Sequence, residues 1–293
     1  MADSDPEPVR VALLGTGTMG VGMAHSILRA GLPLTVWNRS AAKAQPLADD
    51  GATVADSAAD AVREAAVVVL MLFDVDAVLA VLQDVADALP ADAVVLQTST
   101  IGPDGTARVA AFAHEHRITL VDAPVVGTKQ PAEAGSLTVL VSGAEAAKHT
   151  AAPVLDAIGA KTVDLGTEPG SASALKLVAN SWIATLTAGA AQAIELTRAL
   201  GLPPERILQT ISGGAADSPY LQAKGKAIIA GSFEPQFALD GLLKDLRLIH
   251  DAAAGVGVPT TLIDALLASF DTASQAGHGG EDIASVAASF QPA

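Results

Sequence analysis

Between residues 9 and 163 the chain alternates short β-branched runs with longer alanine-rich stretches. That alternation constrains the fold more than any other feature. The runs at 9–14, 34–37, 67–72, 93–98, 119–122 and 137–142 predict strands, and 19–30, 41–50, 76–89 and 105–114 predict helices. Strand, helix, strand at this spacing builds βαβ units, and hence a parallel sheet covered on both faces. The run Gly166-Thr167-Glu168-Pro169-Gly170 breaks the pattern. After it, residues 171–200 contain no proline and a single interior glycine. They predict one helix of about 45 Å at 1.5 Å per residue. Gly201, Pro203 and Pro204 stop it. Beyond it, 205–212, 219–230, 239–254, 260–275 and 282–289 read as helices, and no further strand is predicted. The expected fold is an α/β domain with a parallel-rich sheet over 1–166. A long interdomain helix and an all-α C-terminal domain follow, together covering 167–293.

A chain of 293 residues, half of them apolar, can fill two cores; with only 3% aromatics those cores must be aliphatic. Lys and Arg number 17 against 32 Asp and Glu, a net charge of −15. Nothing supplies a basic footprint, so neither nucleic acid nor an anionic membrane is expected as a partner. The absence of cysteine excludes disulfides, thiolate catalysis and Cys-ligated zinc, and fits a reducing compartment. The longest apolar run, 65–73, is strand-sized. Residues 1–8 are acidic and polar, unlike a signal peptide. A cytoplasmic protein is the expectation.

Gly15-Thr16-Gly17-Thr18-Met19-Gly20 is a G-x-G-x-x-G run that follows the first strand and opens a helix. In that setting Gly15 permits a tight turn, Gly17 lets the backbone approach a pyrophosphate, and Gly20 lets helix pack on strand. The N–H groups of Thr18 and Met19, at the helix start, then face the anion. A glycine-rich turn without a ligand is the alternative, and it does not require this strand–loop–helix placement. The second strand ends at Asn38-Arg39-Ser40. An Asp or Glu there would hold a ribose 2′-hydroxyl and repel a 2′-phosphate. Arg39 pairs with a phosphate instead, while Asn38 and Ser40 offer hydrogen bonds, so the pattern favours NADP(H) over NAD. Against the negative background, Arg39, Lys176 and Lys244 are the candidate local cations.

Lys176 and Asn180 stand four residues apart on the long helix, so they share a face, flanked by Leu175, Leu177, Val178 and Ala179. Spacing alone leaves two readings open. Lys176 is a proton donor to a developing alkoxide, with Asn180 holding or orienting the substrate oxygen; or it is a lysine snorkelling from a half-exposed helix.

Several motifs, taken in order, carry a resemblance over nearly the whole chain. They are Leu14 through Gly20 with Met23-Ala24, Asn38-Arg39-Ser40, Asp122-Ala123-Pro124-Val125, the segment Gly170…Lys176…Asn180, and Lys244-Asp245-Leu246. The chain resembles the β-hydroxyacid dehydrogenase family, which includes 3-hydroxyisobutyrate dehydrogenases, tartronate semialdehyde reductases and glyoxylate/succinic semialdehyde reductases, and to which imine reductases are related. The resemblance implies a Rossmann domain, a helical domain, a cleft between them, Lys176 as the acid/base, and a homodimer or homotetramer built through the helical domains. The run Gly127-Thr128-Lys129-Gln130-Pro131-Ala132-Glu133-Ala134-Gly135 is similar to the glyoxylate and succinic semialdehyde branch. Phe237 and Asp245 resemble that branch's substrate-pocket pair, and Thr100 matches a threonine near nicotinamide and substrate.

Two departures stand out. Val126 occupies the place of a family serine that helps bind the substrate carboxylate, and a lost hydrogen bond to a charged group costs about 1.5–3 kcal/mol. Thr128 or the backbone at Gly127 compensates, or the substrate is less polar at that point. Phe73, after Leu72, stands where the family often has proline; it narrows the nicotinamide side of the cleft or is ordinary packing. Asp245 either orients Lys244 or pairs with another cation, and Asp122 is read as a cap or turn residue rather than a catalyst. No metal site is expected. Three functions compete. The first is an NADPH-dependent reductase of small aldehyde or keto acids. The second is an imine reductase, which Lys176 argues against and Val126 mildly for. The third is a non-catalytic cofactor-binding oligomer.

Overall fold

The structure, a computed structural model, describes residues 8–291, so most of the acidic N-terminal stretch lies outside the described residues. The chain divides into two compact units, the first ending at Lys176 and the second beginning at Leu177.

The first unit runs β1 (Val11–Leu14), α1 (Thr18–Arg29), β2 (Leu34–Trp37), β3 (Thr53–Val54), α2 (Ala58–Val62), β4 (Val67–Leu70), α3 (Val75–Val85), β5 (Val94–Gln97), α4 (Gly102–Glu115) and β6 (Thr119–Asp122). These strands form a six-stranded sheet in the order β3-β2-β1-β4-β5-β6. Every pairing in it is parallel. All residues of β1, β4 and β5 are buried, which is why β1 and β4 are unbroken apolar runs and β5 is apolar up to Gln97 rather than alternating. Successive side chains face opposite layers. Leu13, Val69 and Leu96 join Met23 and Ile27 on one side of the sheet. Leu14, Leu70 and Val95 join Val78 and Leu82 on the other.

A second, three-stranded sheet follows, formed by β7 (Val125–Val126), β8 (Leu137–Val141) and β9 (Gly159–Asp164), with α5 (Lys129–Ala134) and α6 (Glu145–Ile158) between them. β7 pairs antiparallel with β8, and β8 parallel with β9. One expectation needs correction. Residues 41–50 are not one helix but two 3₁₀ turns, Ala41–Lys43 and Gln45–Ala48, because Pro46 has no N–H to continue an α ladder. Helix α6, over a stretch with no predicted element, carries Pro153 in its interior.

Helix α7 (Ser171–Ala199) is the long predicted helix, and α8 (Glu205–Ile211), α9 (Pro219–Ala230), α10 (Leu239–Gly255) and α11 (Thr261–Ala273) follow. The last predicted helix is a 3₁₀ segment, Ile283–Phe290. In α10, Leu239, Leu242, Leu243, Leu246 and Ile249 are all buried. That is the spacing of one helical face, and with Phe270, Ile283 and Val286 it forms the second unit's core. The two units divide at 176/177, inside α7. The first turn of α7 is bonded into the first unit, as described next.

Candidate functional site

Strand register places Trp37, Leu14, Leu70, Gln97 and Asp122 in one row across the carboxyl edge of the large sheet. One residue further, the chain leaves each strand in the same way. Gly15 N–H donates to Trp37 C=O at 2.9 Å, Met71 to Leu14 at 3.0 Å, Thr98 to Leu70 at 3.0 Å and Ala123 to Gln97 at 2.8 Å. The glycine loop, the 38–40 turn and the 71–73, 98–100 and 123–128 segments therefore all emerge along one crest. The carboxyl edge of an open parallel sheet is where such folds bind ligands.

The glycines of the loop are required by geometry. Gly15 has φ +107°, and a Cβ there would lie 2.2 Å from the Met71 carbonyl oxygen; a Cβ on Gly20 would lie 1.9 Å from the Gly15 oxygen. Gly17 is different: a Cβ would meet nothing within 4 Å, so its exposed backbone is open to a ligand. Gly17 also caps α1 without any side-chain hydrogen bond, and no acidic residue stands in the helix's first turn, where Thr18 and Met19 lie. The buried Thr16 Oγ1 has no partner. An uncapped helix start, an open glycine and an orphaned hydroxyl together fit a pyrophosphate.

Asn38 proves to be a tie rather than a free donor. Its Oδ1 accepts from Thr16 N–H at 3.1 Å and its Nδ2 donates to Ser40 C=O at 3.0 Å, fastening the end of β2 to the glycine loop. Arg39 and Ser40 are left exposed on that turn. On the other side of the loop, Leu72 N–H donates to Ser99 Oγ at 2.9 Å, which joins the 71–73 and 98–100 segments; Thr100 is half-buried beyond them. Phe73 is 60% exposed. That exposure does not support the reading of Phe73 as core packing.

Val126 pairs with Thr138 across β7 and β8. Gly127 has φ +144°, and a Cβ there would lie 2.6 Å from Leu137 Cδ2. Thr128 starts α5 without a side-chain cap. Helix α5 lies on α1: a Cβ on Gly22 would come within 2.8 Å of Ala132 Cβ. Ser26 Oγ donates to Ala132 C=O at 2.7 Å, and Arg29 donates to Glu133 C=O. The Pro-Ala-Glu run is thus seated on the helix that begins with the glycine loop.

Asp122, fully buried at the end of β6, caps α7. Its Oδ2 accepts from the N–H groups of Gly170 at 3.0 Å and Ser173 at 2.9 Å, and its Oδ1 from Ser173 Oγ at 2.7 Å. The Ser173 hydroxyl lies 2.9 Å from that of Thr106 on α4, and Ser142 Oγ accepts from Ala172 N–H at 3.2 Å. Burial pushes the Asp122 carboxyl above its ordinary value, while the hydrogen bonds from Ser173, Gly170 and Ser142 oppose the shift. Lys176 follows Ser173 by three residues on this anchored helix and is 7% exposed.

In the second unit, Asn180 Nδ2 donates to Asp245 Oδ2 at 2.6 Å, and Lys244 Nζ lies 2.7 Å from Asp245 Oδ1. Asp245 is 2% exposed, so both partners hold a buried carboxylate. This resolves the two readings of Asp245: it pairs with Lys244 and also fixes the Asn180 amide. Lys244, expected among the cofactor cations, makes this pair. Phe237 is half-buried beside Gly241, where a Cβ would lie 3.1 Å from its ring. Asp282 also belongs to this unit; besides Ala284 N–H its side-chain partners are 45 to 58 residues away. Its position ahead of the last helical run was the only sequence signal for it. Among the described residues no cluster of three or more His, Cys, Asp or Glu is placed to hold a metal.

Known proteins match along the chain. A family model described as the NAD binding domain of 6-phosphogluconate dehydrogenase covers residues 10–166. One described as NAD-binding of NADP-dependent 3-hydroxyisobutyrate dehydrogenase covers 170–290. An L-threonate dehydrogenase of Pectobacterium atrosepticum is 30% identical, across 94% of this chain and 92% of that protein. Glyoxylate/succinic semialdehyde reductase 2, chloroplastic, of Arabidopsis thaliana is 30% identical, across 95% and 78%. The crystal structure of a 3-hydroxyisobutyrate dehydrogenase from Salmonella typhimurium superposes with a TM-score of 0.88 at 30% identity, covering 96% of this chain and 99% of that one.

Proposed function

Because the chain belongs to the β-hydroxyacid dehydrogenase family of NAD(P)-dependent oxidoreductases, we propose that it is an NADPH-dependent reductase of a small aldehyde or keto acid of the glyoxylate or semialdehyde type, with Lys176 as proton donor. One observation carries this reading: Lys176 is a buried lysine on a helix whose first turn is bonded to the cofactor sheet through Asp122. A lysine that merely snorkels needs neither the burial nor the anchored helix.

NADPH, when bound, would supply the hydride for the carbonyl carbon. The chain's own residues do the rest. The open backbone at Gly17 and the first N–H groups of α1 hold the pyrophosphate, with Thr16 Oγ1 available to it. Arg39 and Ser40 take the 2′-phosphate on a turn that Asn38 fastens in place. The 71–73 and 98–100 segments, joined through Ser99, wall the nicotinamide with Leu72, Phe73 and Thr100. Lys176 gives a proton from Nζ to the carbonyl oxygen as negative charge develops there. Asn180, one turn along the same helix and held by Asp245, orients the substrate. Gly127 and Thr128 contact its carboxylate end through backbone N–H groups and the Thr128 hydroxyl, Val126 presents an apolar surface beside them, and Phe237 supplies an apolar wall. The soluble form is a second-copy assembly, a dimer or tetramer in the cytoplasm.

The test is oxidation of NADPH, followed at the reduced-nicotinamide band, with glyoxylate, succinic semialdehyde, methylmalonate semialdehyde, tartronate semialdehyde and a cyclic imine. Each substrate is repeated with NADH, and L-threonate is run in the oxidative direction. Fast turnover of glyoxylate or a semialdehyde with NADPH is the expected result; turnover of L-threonate or the imine alone overturns the substrate class. Lys176→Ala should lower kcat by roughly 10²–10⁴ on the best substrate, with NADPH binding by fluorescence retained. Wild-type turnover in that variant removes Lys176 as the proton donor.

A further inference from the structure

The second unit contains a buried ion pair that the mechanism does not use. Lys224 Nζ on α9 lies 2.6 Å from Asp282 Oδ1, with side chains 12% and 5% exposed. Asp282 gives its remaining capacity to backbone. Oδ1 also accepts from Ala284 N–H at 3.0 Å, and Oδ2 accepts from Gln236 N–H at 3.2 Å and Phe237 N–H at 3.3 Å. The main chain repeats the connection. Asp282 N–H donates to Phe233 C=O at 3.0 Å, and Ile283 N–H to Phe237 C=O at 2.9 Å. Both backbone polar groups of Phe237 are thus fixed by consecutive residues, 282 and 283, which sets the direction of its Cα–Cβ bond. A Cβ at Gly241 would lie 3.1 Å from Phe237 Cε2, so the ring would have to shift by a few tenths of an ångström to admit it.

The same node reaches α7. Lys224 Nζ lies 6.0 Å from the centre of the Tyr220 ring, and Tyr220 Oη is 2.6 Å from Thr187 Oγ1. Thr187 is two helical turns beyond Asn180. One polar network therefore refers the position of Phe237 to the helix that carries Asn180. A purely stabilising ion pair has no need to gather two successive loop N–H groups onto one carboxylate. A carboxylate that aims a side chain does.

We propose that Asp282, charged and held by Lys224, is a positioning residue that sets substrate size by fixing the Phe237 ring against Gly241. The proposal rests on Phe237 facing the substrate. Loosening the Asp282 side of the clamp frees the ring; adding a methyl at Gly241 displaces it from the opposite side with the ion pair intact.

The experiment measures kcat and KM with NADPH for two-carbon glyoxylate and four-carbon succinic semialdehyde. The variants are Asp282→Asn, Lys224→Met, Lys224→Arg, Gly241→Ala and Phe237→Ala, with Asp282→Asn also combined with Phe237→Ala. Expected is a change of at least fivefold in the ratio of the two kcat/KM values for Asp282→Asn, Lys224→Met and Gly241→Ala, carried by KM. Lys224→Arg should restore the ratio. Asp282→Asn should add nothing in the Phe237→Ala background, and amide exchange at Gln236 and Phe237 should quicken in Asp282→Asn. If Asp282→Asn does not fold, Lys224→Met and Gly241→Ala carry the same ratio. An unchanged ratio in the clamp variants, with a shifted ratio in Phe237→Ala, overturns the proposal and leaves the pocket reading standing. An unchanged ratio in Phe237→Ala, or turnover of neither substrate, overturns the pocket reading and the proposal with it.

Discussion

Single residues carry the proposed cofactor choice and report on the interior. Arg39 is exposed on a turn that Asn38 fastens to the glycine loop, so its guanidinium is offered at a fixed place. Losing a hydrogen bond to a charged group costs about 1.5–3 kcal/mol, which is roughly 10- to 100-fold in affinity. Arg39→Ala should weaken NADPH binding by that factor and leave NADH nearly untouched, as read by titration of cofactor fluorescence. Tyr220 provides a probe because it is the chain's single tyrosine. Burial is the main cause that raises its phenol to about 12, with Asp282 adding to the shift and the hydrogen bond from Thr187 opposing it. The phenolate band should therefore rise near pH 12 in the folded protein and near the ordinary value of about 10 in denaturant. A folded pKa above the unfolded one contributes stability that is complete below pH 10 and lost as pH rises toward 12. Legibility in the sequence follows the same division. Gly15, Gly17 and Gly20 were readable because they form one contiguous motif between a strand and a helix. Asp122 was readable as a cap, but not as the cap of α7, because its partners lie 48 and 51 residues away.

At the scale of elements, strands were legible where burial on both faces forces β-branched runs, as in β1, β4 and β5. β3 and β7 are two residues each, too short to show any period. The 41–50 stretch misled because its composition suits a helix while Pro46 forbids one. Helix α7 has a start that depends on another element, and this is measurable. Asp122→Ala leaves the N–H groups of Gly170 and Ser173 without their acceptor in a buried place, which should cost about 2–4 kcal/mol by chemical denaturation. The pH dependence has a definite sign. The folded carboxyl is raised above its ordinary value, so it holds its proton more tightly than the unfolded chain does. Its contribution is largest below the usual carboxylate range and declines as pH rises through the raised value. The stability deficit of Asp122→Asn against wild type should accordingly be larger near pH 4 than near pH 7.

On the whole molecule, one apolar surface stripe bears on the proposed assembly. Val178, Trp182 and Leu196 on α7 and Leu200 just past its end are 64%, 62%, 56% and 69% exposed, and at 100° per residue they lie within about 40° of one another. The stripe spans about 33 Å of helix, a length suited to a matching stripe on a second copy. Trp182→Glu should shift sedimentation from the assembled species to the single chain. Wild-type Trp182 emission should move to longer wavelength on dilution through the same transition.

The cap on α7 also bears on how the protein can be taken apart or recombined. A module cut at the composition change, after residue 166, would keep Asp122 and lose the Gly170 and Ser173 donors that satisfy it. The natural seam for transplanting the nucleotide half onto another scaffold lies ten residues later, after Lys176. A chimera joined there inherits the cap together with the lysine, so the piece that travels as one unit already contains the proposed proton donor.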